Sequence, residues 1–330
     1  MNKPAALTFW KTLRYGAESA AFFPFMAFFK LLGIDAASAV GGFIGRHMFY
    51  RLPATNTARA NLRAAYPDMN DAEIEKIVRE MCDNLGRVVA EYPHLDKFTS
   101  GPGGRIEVEG EEIAHKAVST GKGVMFISGH FANWETMPIT AGLLGYEGGV
   151  VYRPPNNPFV DRWISRQRAK LGPKEHISKG AQGTRRIFTL LRRGKLILML
   201  VDQKTGQGVA APFFGRDAMT TPAPASLALK LGSILLPASA ERIAGAHFRV
   251  RVHKPIEFTP SDNHDRDVLA LTAKINQAIE GIVRTHPSQW LWIHRRWPSP
   301  RDARKKKNKR NGQTLGGSGV TVDREGSSLN

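Results

Sequence analysis

The sequence predicts an α/β domain: one mixed, mainly parallel sheet flanked by helices, preceded by an N-terminal membrane-anchoring helix. Three observations carry this expectation. Short continuous apolar runs, Val124–Ile127 and the stretch 195–201, alternate with helical patterns, as in strands covered on both faces. Polar residues follow such runs directly: His130 after the first, Arg153 after 148–152, Asp202 and Gln203 after 195–201. Open α/β sheets place ligands at that edge. Finally, the stretch 10–50 is rich in aromatic and apolar residues. A chain of 330 residues with 42% hydrophobic content can fill one large core and still carry appendages. The expected organisation is a membrane-associated helical segment over 1–52, the α/β domain over 53–300 and a basic, disordered tail over 301–330.

In chain order, Phe22, Phe25, Met26, Phe29 and Leu32 follow helical spacing and give one strongly apolar stripe. Pro24 and Lys30 break the run, which falls short of the ~18–20 apolar residues of a clear spanning helix. No convincing signal-peptide cleavage site follows. The segment therefore spans with distortion or lies in the interface, and Lys3, Lys11 and Arg14 favour a cytoplasmic start. The alternative is an apolar helix docked on the globular domain. The stretch 71–90 reads as an amphipathic helix, with Ile74, Ile77, Val78 and Met81 on its apolar side. After the break at 101–104, 105–109 alternates as a strand and 111–120 reads as a helix ended by Gly121. The strand at 124–127 leads into a loop and another helix. A short strand at 148–152 precedes basic helices over 157–171 and 181–193. Strand 195–201 follows, then a helix started by Thr221 and Pro222, a strand at 233–240, and an alternating stretch at 247–258 that suits an edge strand. The stretch 265–284 is an amphipathic helix.

The net charge of +18 calls for anionic partners. No zinc-finger, RNA-recognition or basic-zipper pattern is present, so nucleic acid is not the expected partner and an anionic membrane with an acidic carrier is. The single cysteine, Cys82, rules out an intramolecular disulfide and any multi-cysteine metal site. No metal ligand set is expected, and His286 and His294 share no helix pattern that would align them.

The chemistry centres on Gly129-His-Phe-Ala-Asn-Trp-Glu135. Gly129 frees the backbone, His130 lies just past the strand, and Asn133 reads as a helix N-cap that puts Glu135 in the first turn. Residues five apart do not share a helix face. The two meet only if the loop bends back. Such a pair takes a proton from an alcohol, with the carboxylate fixing the imidazole tautomer. No serine or cysteine nucleophile stands beside it, so the alcohol belongs to a substrate. The competing reading is a loop histidine bonded to a neighbour, with Glu135 a solvated first-turn acid. Arg153 suits a phosphate or an oxyanion, or caps a surface helix. Asp202 orders Arg153 or a sugar hydroxyl, or caps a turn.

The heptapeptide resembles the first motif of the lipid A late acyltransferases, the lauroyl and myristoyl transferases within the lysophospholipid acyltransferase superfamily. Gly129 and Glu135 stand where the glycerolipid branch usually has Asn and Asp. Further pieces are similar to that family: Arg59-Ala-Asn-Leu62, Asn84-Leu-Gly-Arg87, Tyr152-Arg-Pro with Asn156, Asp202-Gln203, the stretch 212–222, and Trp290-Leu-Trp-Ile-His-Arg-Arg-Trp-Pro298. The resemblance covers roughly 10–300. It implies an inner-membrane protein facing the cytoplasm that moves an acyl chain from an acyl carrier protein thioester to a hydroxyl of a lipid A precursor. No metal or organic cofactor is implied. His130 and Glu135 take the catalytic roles, and Phe131, Trp134, Arg153, Asn156, Lys179, Arg186, Asp202 and Gln203 the substrate-binding ones. The alternatives are the same chemistry on a glycerophospholipid or a glycosylated phosphoinositide, and a non-enzymatic basic protein that binds membranes.

Overall fold

In the computed structural model, which describes residues 9–297, the described residues open with four α-helices: α1 (Phe9–Leu32), α2 (Ile34–His47), α3 (Ala54–Ala65) and α4 (Asp71–Glu91). The expectations for Lys3 and for the tail 301–330 lie outside the described residues. The chain divides into two units, Met1–Arg296 and Trp297–Asn330, and the described helices and strands all belong to the first. Asn70 and Glu73 close a reciprocal capping box that starts α4. The amphipathic pattern of α4 then buries Ile74, Ile77, Val78 and Met81. Helix α2 crosses α4 through glycines. A Cβ on Gly45 would lie 2.0 Å from the Cys82 carbonyl oxygen, and one on Gly86 2.0 Å from that of Gly41. Only glycine lets two helix backbones approach so closely.

The α/β part runs β1 (Ile106–Glu109), α5 (Glu111–Ser119), β2 (Val124–Ser128), α6 (Thr136–Leu143), β3 (Gly148–Tyr152), α7 (Pro158–Arg168), β4 (Glu175–Ser178), α8 (Ala181–Arg192) and β5 (Leu196–Leu200). A hairpin of β6 (Val209–Phe213) and β7 (Arg216–Thr220) follows, then α9 (Ala223–Leu231), β8 (Ile234–Ala244), β9 (His247–Val252) and α10 (His264–Thr285). The main sheet has seven strands in the order β1-β9-β8-β2-β5-β3-β4, and only the β8–β9 pair is antiparallel. This is the mixed, mainly parallel sheet the alternation predicts. Strands β2 and β5 are buried almost throughout, which explains their uninterrupted apolar runs.

The sheet corrects one expectation and adds elements. Strand β9 is interior, because β1 pairs outside it. Its alternation records a sheet face that is open on one side, where Arg249 and Arg251 meet Glu107 and Glu109 of β1. Strand β4 and the β6–β7 hairpin are not among the expected strands.

The N-terminal helix packs on the domain along one side only. Met26 and Phe29 are buried against Ala37 and Ala90, and Lys30 donates to the Pro93 carbonyl at 2.9 Å. On the other side Trp10, Leu13, Phe28 and Leu31 are exposed, Leu31 to 87%. Among the described residues no helix is long and apolar enough to cross a membrane.

Candidate active site

Strands β2 and β5 are adjacent, parallel and in register, Ser128 opposite Leu200. The second residue past each of these ends is therefore a neighbour of the other, and these are His130 and Asp202. The Asp202 carboxylate accepts from His130 Nδ1 at 2.9 Å, from the His130 backbone N–H at 2.8 Å and from the Trp290 indole N–H at 2.8 Å. Gly129 leaves room for this contact: a Cβ there would lie 3.0 Å from Asp202 Oδ2 and push on the carboxylate. Burial pushes the Asp202 carboxyl up, but the His130 charge and these hydrogen bonds outweigh it and hold the group at about 2. An ionised carboxylate only accepts, so in the neutral ring Nδ1 carries the proton and Nε2 keeps its lone pair. The Gln203 amide nitrogen lies 3.4 Å from Nε2.

The loop after His130 is held by a buried polar network. Ala132 has a φ of +44°, rare for a residue with a Cβ. The Asn84 amide donates to its carbonyl at 3.0 Å. Arg242 donates to Asn84 Oδ1 at 2.9 Å and to the fully buried Glu91 at 2.5 Å, and Asn133 donates to the other Glu91 oxygen at 2.8 Å. The Asn133 carboxamide oxygen accepts the Glu135 N–H at 3.1 Å, so α6 begins one residue beyond Glu135.

Glu135 does not meet His130, which corrects the expected base pair. Its carboxylate takes a two-pronged contact from Arg168 of α7, Nε at 2.7 Å and Nη2 at 2.5 Å, and the Tyr92 hydroxyl donates at 2.5 Å. Burial raises the Glu135 carboxyl, yet the Arg168 charge and the hydrogen bonds from Arg168, Tyr92 and Trp134 bring it below the usual carboxylate range. The physical reason is topological: a neighbouring strand supplies the partner of His130, while Glu135 sits at the start of α6, turned toward α7.

His130 and Glu135 nevertheless border the same cleft, of about 280 Å³. Trp134 stands in it, its ring centroid 5.2 Å from that of His130, as do Arg153, Lys179 and Gln203. Arg153 and Lys179 are exposed, and neither makes an ion pair among the described residues. Part of the wall is apolar, with Pro138, Val150, Leu198 and Leu200, and Arg168 and His294 also line it. The arrangement offers a base, two free cations and a greasy wall.

The sequence profile described as bacterial lipid A biosynthesis acyltransferase matches residues 8–299. The chain belongs to this family. Among its relatives, the lipid A biosynthesis palmitoleoyltransferase of Escherichia coli K12 is 28% identical over 248 residues, 73% of this chain and 77% of that one. The lauroyltransferase of the same organism is 25% identical over 245 residues, 72% of this chain and 76% of the relative. Its myristoyltransferase is 24% identical over 255 residues, 74% and 75% of the two chains. Among solved structures, the 1-acyl-sn-glycerophosphate (LPA) acyltransferase PlsC of Thermotoga maritima superposes with a TM-score of 0.34 at 12% identity, over 74% of this chain and 98% of that one.

Within this family member, four expected binding residues do not line the cleft. Asp202 holds His130 and Trp290, which corrects its expected place beside Arg153 or a sugar hydroxyl, and three others stand apart. Phe131 is buried and bridges Trp290 as an isolated antiparallel pair. Asn156 is exposed away from the cleft, while the next residue, Asn157, caps α7 and donates to the Tyr15 carbonyl at 3.0 Å, tying α7 to α1. Arg186 is held by Glu175, its Nε 2.5 Å from the carboxylate. Residues that the sequence does not assign to this chemistry are Arg168, Tyr92, Trp290 and His294. The His294 ring lies 5.9 Å from that of His130, and burial lowers its pKa. Asn61 of the Arg-x-Asn-Leu segment fixes His294 by donating to its carbonyl at 2.7 Å. Arg168 is visible in the sequence as one of several arginines of a basic helix; its approach to Tyr92 and Glu135 has no linear signature.

Proposed function

We propose that the cleft transfers a fatty acyl chain from an acyl carrier protein thioester to a hydroxyl of a lipid A precursor, as a late step of lipid A assembly. His130 Nε2 removes the hydroxyl proton as the oxygen attacks the thioester carbonyl. Asp202 holds the imidazole in the required tautomer and stabilises the imidazolium. The tetrahedral intermediate then expels the thiolate as the C–S bond breaks, and the imidazolium returns the proton to sulfur. Arg153 and Lys179 bind the acceptor's anionic groups or the developing oxyanion. Glu135 keeps Arg168 in place as a wall of the cleft and does not relay the proton. The exposed apolar side of α1 rests in the anionic inner membrane on its cytoplasmic face and brings the cleft to its lipid substrate.

The observation that carries this reading is the Asp202–His130 contact, with Nε2 turned toward a cleft that has one basic and one greasy side. The test is purified protein with a labelled acyl-carrier donor and a lipid A precursor, read by mass spectrometry. Transfer is expected for the wild type and loss of about 10²–10⁴-fold for His130→Ala. A folded His130→Ala protein of normal rate overturns the mechanism, and transfer to a glycerophospholipid alone overturns the acceptor.

A further inference from the structure

Beneath α6, on the cleft's face of the sheet, lies a second, smaller cavity of about 20 Å³. Its floor includes Phe126, Leu198, Ala238 and Val250, and its roof Met137 and Ala141 of α6. Two hydroxyls border it and both are engaged: Thr140 donates to the Thr136 carbonyl at 2.8 Å, and Tyr146 bonds His115 at 2.9 Å. The rest of the lining is apolar, so the space is suited to hydrocarbon. Leu198 stands in the wall of both the cavity and the catalytic cleft. From Val150 in the cleft, the apolar lining crosses β3, β5, β2, β8 and β9 in their order in the sheet. That path covers four strand spacings, about 19 Å.

We propose that this path is the seat of the donor's acyl tail, and that Ala141 and Ala238 set the chain length the enzyme accepts. The thioester lies at His130, the chain passes Leu198, and its last carbons lie under α6. The cavity itself holds no more than a chain terminus; Leu198 and Met137, both unbranched at Cβ, fill the rest of the path and yield by changing rotamer. Two small side chains, one from a strand and one from the helix above it, leave room there beyond Leu198. Each methylene buried there is worth about fourfold in binding, enough for this part of the lining to select among donors. The inference rests on the acyl-transfer reading of the cleft.

The test compares wild type, Ala238→Val, Ala141→Leu and Leu198→Val, with acyl-carrier thioesters from octanoyl to stearoyl and one lipid A precursor. Both alanine variants should move the optimum to shorter donors, with kcat/KM for the longest falling about tenfold or more, as expected from a few lost methylene contacts, while the shortest donors keep their rate. Leu198→Val, which widens the passage, should favour longer chains and guards against misfolding of the filled variants. Folded variants with the wild-type profile overturn the proposal. If no thioester is a donor for any of the proteins, the acyl-transfer reading fails instead. Thermal protection by free fatty acids of graded length then decides the seat without turnover: a length optimum that shifts in the alanine variants supports it, and an identical profile overturns it.

Discussion

Asp202 is a carboxylate with 3% of its side chain exposed, and it stays ionised only because three N–H donors, one of them the His130 imidazole, face it. Its role separates from that of Glu135 by substitution. Asp202→Asn keeps the shape but removes the charge that fixes the tautomer, and kcat should fall by about 10²–10⁴-fold with KM little changed. Glu135→Gln leaves the imidazole untouched and strands a buried guanidinium, so its first effect should be a stability loss of about 3–5 kcal/mol in denaturant melts. Equal effects of both variants on kcat, at equal stability, would return Glu135 to the proton relay. Acid adds a second readout. The folded Asp202 pKa, about 2, lies below the unfolded value, so the unfolded chain binds the proton more readily and stability rises with pH. That stabilisation, of order 2 kcal/mol, is present above about pH 4 and lost as pH falls toward 2. Asp202→Asn should flatten this part of the acid-denaturation curve. Both His130 and Asp202 are legible in the sequence as polar residues past apolar runs. Their pairing is not, because it depends on β2 and β5 being neighbours, and strand order leaves no mark on either segment. Arg153, Lys179, Trp134 and Gln203 do converge on the cleft, while Arg186 is taken by an acid eleven residues away that the sequence offers as just one of many.

At the scale of elements, α1 and α2 form a layer that is held to the domain through small residues and shows aromatic side chains outward. The Gly45–Gly86 crossing fixes that layer. Gly86→Ala places a methyl group where the Gly41 carbonyl stands, so the helices must separate, at about 1–3 kcal/mol. A lowered melting temperature with unchanged chain-length preference is the expected result. Elements differ in how much of their setting they write into linear pattern. Continuous apolar runs mark β2, β5 and β8, because both faces of those strands are covered. Strand β4 leaves no such mark because its four residues, Glu175–Ser178, are an exposed edge with one buried position, Ile177. Strand β9 reads as an edge because Arg249 and Arg251 alternate with Phe248 and Val250, yet alternation reports an open face and not an unpaired side. The N-terminal run reads as an anchor or as a docked helix, and α1 shares features of both: Met26 and Phe29 buried, Phe28 and Leu31 exposed.

Over the whole molecule, the proposed membrane seat would draw on two separate attractions to an anionic bilayer: the net charge of +18 and the outward aromatic side of α1. Charge acts through solution and is worth about 1 kcal/mol for each basic residue near the surface. Salt shortens its reach, from a Debye length of about 10 Å at 0.1 M to about 3 Å at 1 M. Burial of Phe28 and Leu31 in the interface is insensitive to such screening, and each fully buried side chain of this size contributes about 1.5–3 kcal/mol. The two terms therefore come apart in one experiment. Sedimentation with phosphatidylglycerol-containing vesicles should show binding that weakens with salt to a plateau above zero. The double variant Phe28→Ser, Leu31→Ser should bind well at low salt and lose the plateau. Because neither residue borders the cleft, turnover of detergent-dispersed substrate should remain that of the wild type. Wild-type binding that vanishes in high salt would leave charge as the only attraction, and the exposed side of α1 would then need a protein partner to account for it.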